Sequence, residues 1–528
     1  MGEDRPGTGG GAGKPNEGAG APLGEYPLRI KTDNCGNCVF CVSVCPFEAL
    51  KIDEATKKVR LDKDKCRLCG LCYTSCPSCL IDIDYYNKEV LSGLVDGLLQ
   101  GTEARTLVMA CRGSEPSHEK IVEELGTGKY IGFTLPCVGR VSLPFYLAAA
   151  EKGIEKIVVF SCEEDFCRFK KGATAVSNTV NTAGAMLMDL GYPDDMVSFK
   201  RGSRKVVPDD KSKCISCGNC VAQCPYQGVK LEGGSAKFDL ALCKGCGVCV
   251  AECPVMCLEI KGSEAEKIEG RISEIARTPH RPRVVAFMCM WSEFSELDTP
   301  RGEAAARAGV GLLPLPCAGR LELVHVVDAL LKGIDGVVVA TCPEDECKQE
   351  KRGPRHAGLY ATKLVSILNG MGLGGRVERF TATPKRPGDF GRDLEKASGR
   401  MRNLGPLTLS EAQRDELLVL RDMLSDVRIR WLLSREGDML EKGNVYGEKV
   451  PAEKWNRIFD DALADRRVQH RILRRADRGP ATAGEMAASV GLAPAAVVRH
   501  IIDLKKRNLL EMCHGPGPQK FAAKGGCH

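Results

Sequence analysis

Four times in this chain the cysteines fall in the spacing C-x2-C-x2-C-x3-C-P, and no other feature of the sequence restricts its fold so tightly. The runs are Cys35, Cys38, Cys41 and Cys45; Cys66, Cys69, Cys72 and Cys76; Cys214, Cys217, Cys220 and Cys224; and Cys243, Cys246, Cys249 and Cys253. Three thiolates at successive third positions wrap one corner of an iron-sulfur cubane, and a fourth, placed past the turn by proline, ligates the other cluster of a pair. A structural zinc site needs only two C-x2-C pairs and gives no reason for the third cysteine in register or for the C-P step. Val39, Phe40, Leu68, Ile215 and Val248, set between the cysteines, are apolar, as expected where water is to be kept from a cluster. Cys79 and Cys257, just past the motifs at different offsets, read as buried free thiols.

The rest of the composition narrows the setting. A chain of 528 residues exceeds what one hydrophobic core organises, so several domains are expected. A hydrophobic fraction of 43% with 27% charged residues is that of a soluble globular protein, and no apolar run reaches bilayer-spanning length. The stretch from Met1 to Gly24, rich in Gly and Pro without an apolar h-region, reads as a disordered lead-in. With no export signal, 28 cysteines in a reducing cytoplasm point to metal and not to a disulfide framework. The net charge of +6 by itself implies no polyanionic partner.

The pattern is also duplicated. Cys35 and Cys214, Cys66 and Cys243, Cys111 and Cys289, Cys137 and Cys317, Cys162 and Cys342, and Cys167 and Cys347 are separated by 177 to 180 residues. A unit of that length is a tandem domain pair and not a solenoid repeat. In the second half of each unit, short apolar runs end in cysteine at Cys111, Cys137 and Cys162, and again at Cys289, Cys317 and Cys342. Such runs are buried strands. Helical patterns at Leu143 to Gly153 and Ala173 to Gly191 imply right-handed crossovers and a parallel sheet, with the cysteines converging at its carboxyl edge. Cys167 and Cys347 add a fourth thiol past the third strand. Amphipathic connectors are expected at Lys88 to Leu99 and Ser263 to Ile275.

Each pair of C-P motifs resembles the bacterial two-cluster ferredoxin. That resemblance implies 4Fe-4S clusters on Cys35, Cys38, Cys41 and Cys76; on Cys66, Cys69, Cys72 and Cys45; on Cys214, Cys217, Cys220 and Cys253; and on Cys243, Cys246, Cys249 and Cys224. The following domains, through Leu135-Pro-Cys-Val-Gly-Arg140 with Ser161-Cys-Glu-Glu-Asp-Phe-Cys167 and their counterparts Leu315 to Arg320 and Thr341 to Cys347, resemble the delta subunit of methyl-viologen-reducing hydrogenase. This second resemblance implies a 2Fe-2S centre on Cys111, Cys137, Cys162 and Cys167 and another on Cys289, Cys317, Cys342 and Cys347. Cys289-Met290-Trp291 matches that family's strand end, whereas Ser114 and Ser292 stand where it commonly has a further cysteine, and the first copy lacks the tryptophan. Arg140 and Arg320 are placed either to neutralise an anionic cluster or to form a surface salt bridge.

No catalytic group is legible. Gly370 to Gly375 satisfies G-x-G-x-x-G but follows a helical run, Ala361 to Asn369, and reads as a helix end. His118, His280, His325 and His356 read as surface or helix residues. The tail begins with a polar, basic linker from Pro384, followed by helices from Thr408, capped with Glu411, to Leu433. Between Arg466 and Lys524 there are 12 Lys/Arg against 4 Asp/Glu, an excess above the +6 of the whole chain. A helix near Val468 to Ala476, one capped by Thr482 and Glu485, a turn at Gly491, a helix opened by Pro494 and a Gly-Pro hairpin resemble a winged helix-turn-helix. Protein docking is favoured over DNA because that last helix begins Ala493-Pro-Ala-Ala-Val-Val498. If it met DNA, Arg474, Arg475, Arg499, Lys505, Lys506 and Arg507 would take phosphates. Cys513, His514, Cys527 and His528 form a candidate zinc quartet or a frayed end.

The expected fold is therefore an α+β and α/β multidomain chain. It comprises a lead-in (1–28), a dicluster ferredoxin domain (29–87), a delta-subunit-like parallel-sheet α/β domain (88–200), their second copies (207–262 and 263–383), a linker (384–404), a helical region (405–465) and a mainly helical, winged-helix-like domain (466–528). The expected function is intramolecular electron transfer in a cytoplasmic oxidoreductase complex. The hydrogenase-family resemblance implies as partners a heterodisulfide-reductase-like flavoprotein and a hydrogenase or formate dehydrogenase. The competing expectation is a redox-sensing transcription regulator that uses the winged helix.

Overall fold

A computed structural model describes residues 25–527 except 115, 117, 203–205, 209, 293–304, 306–307, 445 and 515–516. The lead-in thus falls almost wholly outside the described residues, and so does His528.

In the first ferredoxin domain, strand Leu28–Ile30 pairs antiparallel with Ile81–Ile83, closing the ends of the module, and a hairpin joins Leu50–Ile52 to Val59–Leu61. Between them lie two short helices, Phe40–Val44 and Leu71–Ser75. The second domain repeats this with Val206–Pro208 against Leu258–Ile260, a Val229–Glu232/Ser235–Phe238 hairpin, and helices Asn219–Gln223 and Val248–Ala251. Each short helix opens from a left-handed residue: Gly70 (φ 81°), Gly218 (φ 76°), Gly247 (φ 77°) and, in place of glycine, Val39 (φ 57°).

Each ferredoxin leads through an amphipathic helix, Lys88–Leu99 or Ala265–Ala276, into a four-stranded parallel sheet. Across the first sheet the strands run Ile131–Leu135, Thr106–Cys111, Lys156–Cys162 and Val197–Gly202; across the second, Val310–Leu315, Val284–Cys289, Gly336–Thr341 and Val377–Thr381. Their central strands are buried apolar runs, as a sheet covered on both faces requires. Since the first and third strands of each sheet are neighbours, Cys111 and Cys162, and likewise Cys289 and Cys342, leave the same carboxyl edge side by side.

The expected linker after Pro384 is a structural layer instead. Helix Asp389–Asn403 lays Phe390, Leu394, Ala397 and Met401 on the face of the second sheet formed by Val284, Ala286, Met288, Val338 and Ala340. In the first unit the corresponding face carries Ile121, from the short helix His118–Leu125. The capping box of the next helix also lies two residues beyond the expected one: Ser410 and Gln413 open Glu411–Leu424, where Ser410 Oγ accepts from the Gln413 backbone. A break at Asp426, which caps the following helix, separates it from Val427–Glu441.

Helix Ala452–Asp477 runs unbroken through the expected boundary at 465/466, packing on both preceding helices. Beyond it come strand Ala481–Thr482, helices Ala483–Val490 and Pro494–Lys506, and hairpin Leu510–Cys513/Lys520–Ala523, around a small core of Ile472, Met486, Val497 and Leu504. The three strands pair with the last one central. No single helix among the described residues is long and apolar enough to cross a membrane.

Candidate metal centres

The crossed sharing of cysteines is visible in which sulfurs are neighbours. Burial raises the Cys41 thiol, and the nearby sulfurs of Cys76, Cys35 and Cys38 raise it further. Cys72 is raised well above its ordinary value by burial and by Cys69, Cys66 and Cys45. In the second ferredoxin, Cys220 is pushed up to about 12 by burial, with Cys217, Cys253 and Cys214 around it. Cys249 is raised by burial and by Cys246, Cys243, Cys220 and Cys224. In each motif the neighbouring sulfurs thus include the C-P cysteine of the sister motif.

At the edge of the first sheet, Cys111 Sγ contacts the sulfurs of Cys137 and Cys162, and Cys167 lies beside Cys137. In the second, Cys289 contacts Cys317 and Cys342, and Cys342 contacts Cys347. The backbone leaves room at these sulfurs. A Cβ added at Gly172 would stand 2.8 Å from Cys137 Sγ and 3.1 Å from Cys167 Sγ, one at Gly113 would stand 2.8 Å from Cys162 Sγ, and one at Gly353 would collide with Cys317 Sγ. Backbone amides point at several sulfurs, among them Ala49 N to Cys45 (3.4 Å), Leu80 N to Cys76 (3.4 Å), Val138 N to Cys111 (3.3 Å) and Gln349 N to Cys347 (3.4 Å).

Four converging sulfurs, glycine clearance and aimed amides suit thiolate-bound iron, since N–H groups stabilise anionic sulfur. Without a cation burial raises several of these thiols, taking Cys69 and Cys246 to about 12. Metal coordination reverses that preference, because a ligating thiol loses its proton.

The sets also adjoin one another. Cys41 neighbours Cys72, and Cys69 neighbours Cys137; in the second unit Cys220 neighbours Cys249, and Cys246 neighbours Cys317. Arg140 and Arg320 stand at the ferredoxin-to-sheet step, both 0% exposed, so neither forms a surface salt bridge. Arg140 Nη2 donates to Leu68 O at 3.2 Å, and the guanidinium lies 5.5 Å from the Tyr86 ring, near Cys137 and Cys69. Arg320 instead bonds Glu322 at 2.6 Å, with Glu259 at 3.6 Å. Glycine is required opposite each arginine: a Cβ on Gly70 would meet Arg140 Cβ at 2.7 Å, and one on Gly247 would meet Arg320 Cδ at 2.8 Å.

Several sequence expectations are corrected. Leu68 and Val248 are buried, but Val39 (48%), Phe40 (55%) and Ile215 (53%) are exposed, so apolar residues shield the inner sets and rim the outer ones. Cys79 is exposed, not buried; Cys257 is buried, 3.6 Å from Cys253 Sγ. Ser114 and Ser292 donate to the carbonyls of Cys111 (3.0 Å) and Cys289 (2.7 Å), closing the turn after the strand. His325 and His356 lie on helices but are buried, each beside a glutamate, Glu322 and Glu252. Gly370 ends helix Arg352–Gly370 and leads to a strand, the reverse of a nucleotide-binding turn. Cys513 and Cys527 are joined in a disulfide across the hairpin, which uses both thiols of the suggested zinc quartet.

Comparison with known proteins agrees with this layout. Residues 34–79 and 206–254 match 4Fe-4S dicluster domain families, and residues 130–209 and 284–405 match the family described as methyl-viologen-reducing hydrogenase, delta subunit. A subunit of the ferredoxin/F(420)H(2)-dependent CoB-CoM heterodisulfide reductase of Methanosarcina acetivorans is 34% identical over 281 residues, 50% of this chain and 32% of that protein. An iron-sulfur subunit of the F420-non-reducing hydrogenase vhu of Methanococcus maripaludis is 28% identical over 127 residues, 24% of this chain and 94% of that protein. Its counterpart in Methanocaldococcus jannaschii is 27% identical over 129 residues, 24% of this chain and 94% of that protein. The chain spans about a third of the length of the heterodisulfide reductase relatives. It contains two 4Fe-4S dicluster domains and delta-subunit-like α/β domains, and so carries 4Fe-4S clusters.

Proposed function

We propose that this chain is an electron-transfer subunit holding four 4Fe-4S and two 2Fe-2S centres in one row, with the cysteine sets described above as their ligands. The observation that carries the reading is the adjacency of sets within each unit, from Cys41 through Cys72 and Cys69 to Cys137, and from Cys220 through Cys249 and Cys246 to Cys317; the two runs would meet where the units adjoin. Iron-sulfur clusters supply one-electron stations whose potentials follow charge, sulfur hydrogen bonds and exposure. The chain's own residues set those terms: amides at Cys45, Cys76, Cys111 and Cys347, buried apolar walls around the inner sets, and Arg140 or Arg320 at each step to the sheet.

The relatives' names, a heterodisulfide reductase subunit and a hydrogenase iron-sulfur subunit, support partners of those two enzyme types; a flavoprotein acceptor, a formate dehydrogenase as another electron source and a cytoplasmic setting complete the proposal. The tail then serves docking. Of the residues set aside for DNA phosphates, Arg474 pairs with Asp422 (2.8 Å), Arg499 with Asp465 (3.3 Å) and Arg507 with Asp426 (2.9 Å), so much of the positive charge is spent inside the chain. The test is anaerobic purification from the native host with metal, sulfide and bound proteins identified. About 20 iron atoms and about 20 sulfides per chain, alongside a flavoprotein, are expected. Zinc in place of iron, or a clean DNA complex without partner enzymes, overturns the reading.

A further inference from the structure

Where the two units meet, their contacts are exchanged. Arg67 of the first ferredoxin donates to Asp345 O of the second sheet domain at 3.3 Å, and at the equivalent place Lys244 of the second ferredoxin donates to Asp165 O of the first sheet domain. Inside this seam lies a cavity of about 170 Å³ lined by four basic side chains, Arg112, Arg168, Lys244 and Lys348, and reached by Cys162 and Cys167; burial and the neighbouring Arg168 lower Lys348 to about 7.

These basic side chains break the symmetry of the duplication. Arg168 follows Cys167 in the first unit, yet its guanidinium lies 4.2 Å from the ring centroid of Trp291, two residues past Cys289 of the second. Phe169 meets the same indole edge-on at 6.1 Å. All four sulfurs of the second sheet's set, Cys289, Cys342, Cys347 and Cys317, are electrostatic neighbours of Arg168. Its positional equivalent, Lys348, points elsewhere: Nζ lies 4.1 Å from the Phe47 centroid, against the first ferredoxin. The first unit also has Gly113 where the second has Trp291.

The geometry points to Arg168 as a cross-unit positioning residue, a permanent cation lent by the first unit that stabilises the reduced form of the second unit's centre. One electron leaves the first sheet's centre, which is oxidised, and enters the second's, which is reduced. No proton moves, and the arginine keeps its charge throughout. A cation beside the acceptor raises its potential, because reduction adds negative charge there. This rests on the reading of both thiol sets as 2Fe-2S centres.

The test is an EPR-monitored redox titration of the intact chain as wild type, R168Q, R168K and C347S, the last identifying which signal belongs to the second unit. R168Q is expected to lower that centre's reduced-to-oxidised ratio about tenfold at fixed potential, ~59 mV for one electron, with a smaller change at the other centre. R168K, which keeps the charge, is expected to recover most of the shift. Unmoved midpoints in R168Q, or equal shifts in R168Q and R168K, overturn the assignment while leaving the centres standing. Absence of any 2Fe-2S signal from reduced wild type overturns the cluster reading itself, and this proposal with it.

Discussion

The two ferredoxin domains share a fold but not a neighbourhood. On the second, helix Val427–Glu441 covers the outer cysteine set: Arg430 donates to Cys253 O (2.9 Å) and Ala251 O (3.0 Å), Arg435 to Cys217 O (3.3 Å), and Asn219 and Gln223 reach Ser434. On the first, the position of Asn219 is taken by Phe40, 55% exposed where Asn219 is 1% exposed. Duplication supplied two equivalent faces, and the tail covers part of one of them, leaving Ile215 exposed at its rim. The open face, with an apolar rim beside Cys38 and Cys41, is where an external redox partner can approach the row.

The largest test of this contrast is R430A. Arg430 also pairs with Glu322 at 2.7 Å and is buried, so truncation leaves two carbonyls without their donor and Glu322 with Arg320 as its one arginine partner among the described residues. A loss of about 3 kcal/mol is expected, confined to the second ferredoxin and its covering helix, as local hydrogen exchange would report. Uniform loss across both ferredoxins would erase the distinction. The next effect is a pH dependence of the tail. Burial alone raises the Asp426 carboxyl, but His470, Arg466 and Arg507 outweigh it and hold the group below the usual carboxylate range. A depressed folded value means that the stabilisation is present above an unfolded carboxylate's pKa of about 4 and is lost as pH falls below it. Loosening of the N-terminus of helix Val427–Glu441 from helix Ala452–Asp477 and from Arg507 on acidification, on the order of 2 kcal/mol, is therefore expected, and D426N should abolish the dependence in a denaturation series.

Smaller shifts separate the two units' arginines. Among the described residues Arg140 has no carboxylate partner, whereas Glu322 already offsets Arg320. R140M is expected to shift the reduced-to-oxidised ratio of the neighbouring centres about tenfold, ~59 mV, and R320M by less; equal shifts would show that Glu322 does not matter. Smallest is V39G. Valine holds a left-handed conformation where the other three motifs have glycine, and relieving it should stabilise the first ferredoxin by about 0.5 kcal/mol after glycine's larger chain entropy. A calorimetric scan that shows destabilisation would mean the Val39 side chain is needed at the rim.

What the sequence reveals here follows the range of the interaction. The cysteine sets were legible because ligand spacing is local and repeated, and the strand ends were legible because apolar runs stop at Cys111, Cys162, Cys289 and Cys342. Helix Asp389–Asn403 was not, since Phe390, Leu394, Ala397 and Met401 are diluted by charged residues and Gly391, and the sheet that pairs with them lies far upstream. Thr408 with Glu411 satisfies the same capping pattern as Ser410 with Gln413, and only packing selects between them. The contacts of Arg168 with Trp291 and of Arg430 with Cys253 O join residues more than a hundred positions apart, and no local pattern announces them. Exposure of Phe40 was hidden for the same reason, because what covers Asn219 comes from the tail.

The claim that the two units form one row is tested most directly by low-temperature EPR of the fully reduced whole chain. Because both sheet-edge sets face one seam, the account predicts mutually broadened binuclear signals that sharpen when C342S removes one of them. Two narrow signals, unchanged by that substitution apart from the loss of one, would show that the units do not communicate and would contradict it.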